Sequence, residues 1–390
     1  MLKSKYRKLI LLVLFILSLI LISIFGGVIS YSLFFAVLII PLISLMYLIY
    51  VYYSFTIYQE IKTRNIVAGE LVPYSFILKN EGFTVFTALN IKVYSDFSNV
   101  TDVPDDQVFR LFPGEKIEYK TTLRCRYRGE YKVGVNRLVI TDFLELFRFS
   151  YKMMSKLDAI VKPRIVALDI QNEIPDLDVF IHSNFKKDIN EPDLVVRDYV
   201  AGDPLKKIHW KSTARSLKLK VRNDIGVLKE KVLLIADFER VSNDMREYLP
   251  LENKILEQTI GLLYHFVIGK MSIELVFNQD KLQNALISDI VQFNSIYEEL
   301  ASISFRSNNR FLNLYNDVYR RGLISGAQIV LMVVHYMDDD LFAEVARLSL
   351  TSKIAVVYVV SEEDISEYSR QSTERFKIVK VGYEESEEFI

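Results

Sequence analysis

The densest group of side chains suited to binding chemistry lies in the middle of the chain, between Arg197 and Asp224. This stretch holds eight lysine and arginine residues against three aspartates, together with the only tryptophan in the sequence. Guanidinium and ammonium groups can converge on a phosphate or on acidic protein side chains, and forked arginine donors add geometric specificity. Because the whole chain has a formal net charge of -1, any such attraction must come from a local patch of this kind.

Three interpretations of this stretch follow from its residues. In the first, Trp210 anchors a core, and Arg197 and Arg215 form ion pairs with nearby aspartates. In the second, the cations meet an acidic protein partner or a phosphate. The third is binding of nucleic acid, which is disfavoured because no aromatic side chains are interleaved with the cations, so we expect no nucleic-acid partner.

The same stretch contains two signals for local structure. Asp203 followed by Pro204 is typical of a helix start and predicts a short helix from Pro204 to about His209. Strict alternation from Ser216 to Arg222 predicts a strand with one apolar face and one basic face.

The spacing of these residues resembles the signature of a known family. The pattern in this chain is Arg197-x-Tyr199-x-x-Gly202-Asp203-x-x-Lys206-x-Ile208-x-Trp210-Lys211-x-x-Ala214-Arg215. It resembles the pattern R-x-Y-x-x-G-D-x-x-R-x-I-x-W-x-x-x-A-R of the domain-of-unknown-function 58 family. Lys206 stands where that family usually has arginine, so it gives up forked hydrogen bonding. The likeness extends upstream through RGEYKVG and TDFLELF and covers most of the chain from about Arg124 onward.

Together with this resemblance, the sequence leads us to expect a non-enzymatic interaction protein rather than an enzyme. The resemblance implies a MoxR-type AAA+ ATPase as partner and a role in assembling or maturing envelope or surface complexes. The interaction residues that it implies are Arg197, Tyr199, Gly202, Asp203, Lys206, Trp210, Lys211 and Arg215.

A metal site is also implied by the family, but its motif is degenerate in this chain. The von Willebrand A-like domain of such proteins carries D-x-S-x-S, in which an aspartate and two hydroxyls hold a divalent cation. Here Asp237 is retained, whereas Glu239 and Val241 stand in place of the serines. Since a hard cation needs several oxygen ligands, the metal alternative rests on Asp237 alone, and we expect no cofactor.

The elements that must position these residues begin with a membrane signature. No Asp, Glu, Lys or Arg occurs between Leu9 and Gln59, and the apolar runs 9–25 and 28–55 are separated by Gly26 and Gly27. Cations before the first run and after the second predict a multi-pass cell-membrane protein with its N-terminus and soluble domains in the cytoplasm. A cleaved signal peptide is disfavoured because no A-x-A-like site follows the first run.

The rest of the chain divides into segments with different patterns of polar and apolar residues. Period-two alternation with frequent turns predicts an antiparallel β-sandwich over residues 60–163, and residues 164–230 form a connector that carries the signature. Nearly continuous apolar runs then alternate with helix-length segments, which indicates a parallel sheet buried on both faces. These strands are predicted at Val232 to Phe238, Ser272 to Phe277, Gln328 to His335 and Ile354 to Val360.

The predicted fold class is therefore a membrane-anchored α+β multidomain protein. It consists of a transmembrane helical hairpin (1–59), the β-sandwich, the connector, and an α/β, Rossmann-like domain (231–390) similar to von Willebrand A domains. Two other functions stay open. One is a membrane-associated enzyme that acts on phosphorylated or cell-wall material through Arg197, Arg215 and Asp237, and the other is a metal-dependent adhesion module. A lone Cys125 excludes an intrachain disulfide.

Overall fold

The computed structural model describes most of the chain. The described residues are 2–63, 65–101, 103, 107–153, 157–168, 170, 196–200, 203, 208–222, 231–279, 281–306, 310–350, 353–373 and 375–383. They form two compact units, Met1–Lys162 and Pro163–Ile390. Several predictions fall outside the described residues, among them Gly202, Lys206 and most of the short helix predicted after Asp203.

The N-terminal unit begins with two antiparallel apolar helices, α1 (Leu2–Phe25) and α2 (Val28–Ser54). Gly26 and Gly27 form the turn between them, with φ angles of +55° and +90° that glycine adopts without a steric penalty. Both helices are long and apolar enough to cross a membrane. The prediction of two apolar helices joined at the glycine pair is thus confirmed.

Helix α2 passes directly into strand β1 (Phe55–Ile61) without a linker. Its last turns belong to the core of the β-structure, because Leu48 is 4% exposed and Val51 is fully buried. The helix and the sheets that follow therefore share one hydrophobic core.

Antiparallel pairing dominates the β-sheets that form the body of this unit, and one strand pair of the smallest sheet is parallel. The further strands are β2 (Ile66–Val67), β3 (Leu71–Asn80), β4 (Phe86–Val93), β5 (Ser98–Val100), β6 (Val108–Leu111), β7 (Lys116–Cys125), β8 (Gly129–Val133), β9 (Val135–Thr141), β10 (Arg148–Lys152) and β11 (Leu157–Lys162). Two four-stranded sheets have the orders β1-β3-β7-β5 and β10-β9-β4-β6, and a smaller sheet has the order β2-β11-β8. The two larger sheets pack around one core, as in a β-sandwich.

Period-two alternation explains why these strands form. Along β3, the side chains of Val72, Tyr74, Phe76 and Leu78 are buried, and the residues between them are not. Full burial of a side chain such as Phe76 stabilises the fold by roughly 1.5–3 kcal/mol. A one-residue slip in register would place this whole set in solvent, so the pattern fixes the pairing.

The second unit contains one large sheet and its covering helices. Its elements are β12 (Val196–Asp198), α3 (Trp210–Ser216), β13 (Lys220–Arg222), β14 (Lys231–Ala236), α4 (Met245–Ile268), β15 (Ile273–Asn278), β16 (Leu282–Ile287), α5 (Ile290–Ala301), α6 (Phe311–Arg320), β17 (Ala327–Val334), α7 (Asp339–Ser349), β18 (Ile354–Val360), α8 (Ser366–Ser369) and β19 (Phe376–Val381).

The large sheet has the strand order β16-β15-β14-β17-β18-β19, and every neighbouring pair is parallel except β15 and β16. Helices α4 and α5 pack on one face, and α6 and α7 pack on the other. The four strands predicted from apolar runs are present and buried on both faces. The edge strands β16 and β19 were not predicted, because their sequences LQNALI and FKIVKV mix polar and apolar residues.

The helices of this unit begin at side-chain caps. The Oδ1 atom of Asp338 accepts a hydrogen bond from the Leu341 amide at 2.8 Å and so caps α7. Asp244 and Asp289 cap α4 and α5 in the same way.

Candidate functional site

The chain reverses its direction of travel across the large sheet between β14 and β17. After β14 it builds β15 and β16 on one side, and it then returns to place β17 on the other side of β14. The carboxyl ends of β14 and β17 therefore meet at a topological switch point, where open α/β sheets bind their ligands. Asp237 follows β14 directly, and His335 follows β17 directly.

Asp237 and His335 form a buried hydrogen-bonded pair at this point. The Nδ1 atom of His335 lies 2.6 Å from the Oδ2 atom of Asp237. The other carboxylate oxygen, Oδ1, accepts from the Glu239 amide at 3.1 Å. Asp237 is 1% exposed, so burial and these two bonds fix the orientation of its carboxylate.

Glu239 completes a three-residue cluster with this pair. One ligand atom from each of Asp237, Glu239 and His335 lies within 4.8 Å of the others. The pKa of Glu239 is raised above its ordinary value, first by partial burial and then by the negative charge of Asp237, and His335 and Arg310 partly oppose this shift.

Tyr336 adds a phenol group beside the cluster. Its hydroxyl oxygen is buried and has no hydrogen-bond partner within the described part of the chain. Burial, followed by the charges of Asp237, Asp338 and Glu239, raises the pKa of Tyr336 to about 12. The phenol is therefore neutral at physiological pH and remains a potential donor toward a ligand.

The loop that carries the cluster is held from both sides. The Arg240 amide donates to the Arg306 carbonyl at 3.0 Å, and the Arg306 amide donates to the Phe238 carbonyl at 3.2 Å. The Arg240 guanidinium makes a forked pair with the buried Glu252 carboxylate on α4, at 2.7 and 3.2 Å. Removing one partner of a buried pair of this kind costs about 3–5 kcal/mol. The cluster thus rests on a fixed loop.

The polar atoms of Asp237, Glu239 and His335 define what the cluster can bind. Because a carboxylate oxygen only accepts, Nδ1 of His335 is the donor, and Nε2 remains available as an acceptor, base or ligand. An imidazole nitrogen with two carboxylates suits borderline metals such as Zn²⁺ or Mn²⁺. The hydroxyl cage that the family resemblance implies does not fit, because Glu239 and the 58% exposed Val241 replace both serines.

Sequence analysis retained Asp237 alone as a metal candidate, and the structure brings Glu239 and His335 together with it. Sequence analysis missed Glu239 and His335 as members of the site. One signal was available for His335, because it ends the apolar run predicted as a parallel strand, and the carboxyl ends of such strands gather at one edge. The pairing itself could not be predicted, since β17 had to be placed beside β14 first.

The signature stretch separates into a paired part and an exposed part. The Arg197 guanidinium makes a forked ion pair with Asp203, at 2.8 and 2.6 Å, and Asp203 also accepts from the Val200 amide at 3.0 Å. This hydrogen bonding raises the pKa of Arg197. Asp198 pairs with Lys220 across the β12–β13 ladder. The ion pair that the first interpretation assigns to Arg197 is thus present, whereas Arg215 makes no ion pair with a residue that the structure describes.

Helix α3 lies in the second part of the signature and buries none of its residues. His209 caps it by accepting from the Ser212 amide at 3.0 Å, and Leu217 ends it in the left-handed region at φ +53°. Trp210 is 68% exposed, so its interpretation as a core anchor is wrong. The sequence WKSTARS has no apolar residue three or four positions from Trp210 except Ala214, and the helix therefore has no stripe to bury.

The strand predicted from Ser216 to Arg222 is shorter than expected and covers only Lys220–Arg222. Ser216, the first residue of the predicted strand, belongs to α3, and Leu217 is 93% exposed rather than buried. Among the other signature residues, Tyr199 is half-buried and its amide donates to the Leu219 carbonyl at 2.9 Å. Lys211 and Arg215 are exposed.

Comparison with known proteins yields only weak likenesses. No family model and no curated protein matches this chain. The solved structures that resemble parts of it include the CARDB domain of a Pyrococcus furiosus protein in complex with di-metal ions, at 14% identity, covering 27% of this chain and 86% of that one, with a TM-score of 0.19.

Two further likenesses are of the same kind. The sporulation control protein Spo0M of Bacillus subtilis is 14% identical over 37% of this chain and 58% of its own, with a TM-score of 0.19. Native alpha-2-macroglobulin of Escherichia coli is 12% identical, and the match covers 68% of this chain and 17% of that one, with a TM-score of 0.21. Scores of this size carry no conclusion about fold or function.

Proposed function

We propose that this protein is a non-enzymatic, membrane-anchored interaction protein that docks a partner through helix α3. The observation that carries the proposal is the exposure of Trp210, which leaves 68% of the only tryptophan in the chain in contact with solvent. Tryptophan and arginine dominate the energetic centres of protein interfaces, and an exposed pair of them on a capped helix is a candidate anchor.

The charges around Trp210 indicate an acidic partner. Residues 209–222 contain no Asp or Glu and five cations. Of these, Lys220 pairs with Asp198, whereas Lys211 and Arg215 have no hydrogen bond or ion pair with any residue that the structure describes. A folded protein with a carboxylate-rich surface would complement this face. The single aromatic side chain of α3 disfavours a nucleic-acid strand, which requires several stacking platforms.

The class of partner comes from the family resemblance of the signature. Because that family works with MoxR-type AAA+ ATPases, we place such an ATPase on the α3 face. The client process would be the assembly or maturation of envelope or surface complexes. In this proposal the Asp237 edge belongs to a von Willebrand A-like domain and organises the docking unit.

Anchoring in the cell membrane is the second half of the proposal. It is supported by the packing of α2, because Leu48 and Val51 belong to the core of the β-structure and keep this apolar helix in the folded chain. The positive-inside distribution of cations favours a cytoplasmic location for both soluble parts. Protease treatment of intact cells tests this topology, and we expect the β-sandwich to stay undigested. Digestion would instead favour the adhesion-module alternative.

Site-specific photo-crosslinking in native membranes tests the docking face. A photoreactive residue at position 211 is expected to crosslink an AAA+ ATPase that mass spectrometry identifies. Position 319 is a matched control, because Tyr319 on α6 is 63% exposed. Crosslinks to the ATPase from position 319 but not from position 211 would contradict the assigned face.

A second candidate function is the binding of a borderline divalent cation, favoured by the cluster of Asp237, Glu239 and His335. Purified protein exchanged against Zn²⁺ or Mn²⁺ would then retain metal in proportion to protein, and His335→Ala would retain less. If the wild type retains no more than His335→Ala, this candidate is excluded. A membrane-associated enzyme would in addition lose turnover in a folded Asp237→Asn variant.

A further inference from the structure

Four chain connections lie at the same end of the β-sandwich as the C-terminus of α2. The strand registers place them there: Phe55 pairs with Asn80, Lys79 with Lys116, Phe86 with Leu111, and Thr141 with both Ala88 and Arg148. The α2–β1 junction is therefore next to the β3–β4 turn, the β6–β7 turn and the β9–β10 turn. We call this the helix end of the sandwich.

Each of the three turns at the helix end exposes one phenylalanine. Phe83 is 79% exposed, Phe112 is 63% exposed and Phe143 is 46% exposed. Tyr53, in the last turn of α2, is 80% exposed beside them. Single exposed apolar residues are ordinary on a protein surface, but a set gathered at one end indicates an interaction surface.

Two of these turns, β3–β4 and β9–β10, are fixed to the polar end of the helical hairpin. The Tyr47 hydroxyl donates to the Val85 carbonyl at 2.8 Å, and the Tyr50 hydroxyl accepts from the Phe83 amide at 2.7 Å. The ring of Phe83 lies 4.7 Å from that of Tyr50, and the ring of Phe143 lies 5.5 Å from that of Tyr47. The rings of Phe83 and Phe143 are thus held at the level of Tyr47 and Tyr50 on α2.

The β9–β10 turn also binds both helices through polar groups. The Ser44 hydroxyl donates to the buried Asp142 carboxylate, which also accepts from the Phe147 amide at 2.7 Å. Arg7 of α1 donates to the Leu144 carbonyl at 3.0 Å and forms an ion pair with Glu145 at 3.1 Å. Charged and polar groups therefore converge where the apolar parts of both helices end.

The lengths of the helices place this level at the membrane surface. The part of α2 between Val28 and Ser44 spans about 25 Å at roughly 1.5 Å per residue. A hydrocarbon core is about 30 Å thick, so its boundary would fall close to Tyr47. A short span draws the sandwich turns toward the headgroups rather than holding them at a distance.

We propose that the helix end of the sandwich rests in the headgroup layer of the bilayer, with Phe83, Phe112 and Phe143 inserted at the interface. This inference rests on the membrane anchoring proposed above and adds a second, peripheral membrane contact to it. Aromatic rings at this depth fix the tilt and height of the domain relative to the membrane. The bilayer is the occupant because α2 enters it directly from this surface.

The single tryptophan of the chain makes the test direct. In a Trp210→Phe background, one tryptophan is introduced in place of Phe83, Phe112 or Phe143, and the full chain is reconstituted in vesicles of phosphatidylcholine and phosphatidylglycerol. Phe112 is the cleanest position, because its ring contacts no other ring in the part of the chain described. Quenching of the tryptophan fluorescence by brominated lipids reports contact with the bilayer.

Two positions calibrate the measurement. Phe35→Trp lies within the apolar part of α2, on a side chain that is 54% exposed, and reports the span itself. Leu71→Trp lies at the start of β3, at the opposite end of the sandwich, on a side chain that is 59% exposed. We expect quenching at positions 35, 83, 112 and 143, and none at position 71.

The outcomes separate this inference from the proposed function. Quenching at position 35 together with values at 83, 112 and 143 equal to that at 71 would overturn the inference and leave the anchoring intact. A blue-shifted emission without quenching at these three positions would show that protein covers the surface, and it would also overturn the inference. No quenching at position 35 would reject the anchoring itself, and the inference with it.

Discussion

The imidazole of His335 donates to the carboxylate of Asp237 across 2.6 Å, and this bond joins two residues that are 98 positions apart in the chain. It links the carboxyl ends of the two neighbouring strands β14 and β17 at the point where the sheet changes direction. A short bond to a buried carboxylate is stronger than a neutral hydrogen bond, and it holds the ends of these two strands together.

Asp237→Asn is expected to destabilise the α/β unit without unfolding it. The amide keeps an acceptor for the Glu239 amide but loses the charge-assisted bond to His335, which costs about 1–3 kcal/mol. Urea or thermal unfolding of the detergent-solubilised protein, followed by circular dichroism, measures the loss. Asp340→Asn is the control, because Asp340 is exposed in the first turn of α7. Equal stability of the two variants would contradict the structural role of the pair.

Glu239→Gln is expected to stabilise the protein at neutral pH and to have little effect in acid. The pKa of Glu239 is raised in the folded state, so its charged form is disfavoured there relative to the unfolded chain. The stabilising contribution of the protonated carboxyl is complete below the ordinary pKa of about 4.3 and is lost as the pH rises through the raised value.

The thermal unfolding midpoints of the wild type and of Glu239→Gln, recorded between pH 4 and pH 8 at intervals of about one pH unit, measure this pH dependence. The midpoint of the Gln variant should exceed that of the wild type at pH 7, and the difference should shrink toward pH 4. A constant difference across this range would show that the ionisation of Glu239 is not its cause.

Loss of the Arg197–Asp203 pair is expected to loosen the first half of the signature. Asp203 holds both the Arg197 fork and the Val200 amide, so Asp203→Ala leaves that amide without its acceptor. Hydrogen exchange of a peptide covering residues 197–203 should accelerate in Asp203→Ala and, to a smaller extent, in Arg197→Lys, since lysine cannot form the fork. Lys211→Ala should leave it unchanged. Unchanged exchange in Asp203→Ala would refute this role.

The parts of the fold that could be predicted are those encoded by uninterrupted runs of apolar residues. The two apolar helices follow from an uninterrupted run of uncharged residues, and the central strands follow from apolar runs such as IAVVYVV in β18, which has no polar face to expose. These features depend on the local sequence and on burial alone. The same helices and strands would be predicted whatever the order of the strands in the sheet.

The candidate site and the signature helix depend on tertiary context and were predicted less well. His335 meets Asp237 only after β17 has been placed beside β14, which no local pattern specifies. Trp210 is a large apolar residue, and the usual inference that it is buried fails because α3 presents no second large apolar residue to extend a buried face. The alternation after Ser216 was ambiguous for a similar reason, since Leu217 ends a helix instead of entering a strand.

Binding of a purified MoxR-type ATPase to the full chain in lipid nanodiscs tests the central proposal most directly. Truncation of an interface anchor costs at least about 2 kcal/mol, so Trp210→Ala should weaken binding by about 30-fold. Its stability should stay within about 0.5 kcal/mol of the wild type, because it replaces an exposed side chain. Tyr319→Ala, a substitution of an exposed aromatic residue on α6, should bind as the wild type does. Equal affinity of all three proteins, or no binding by the wild type with ATP and Mg²⁺ present, would contradict the account.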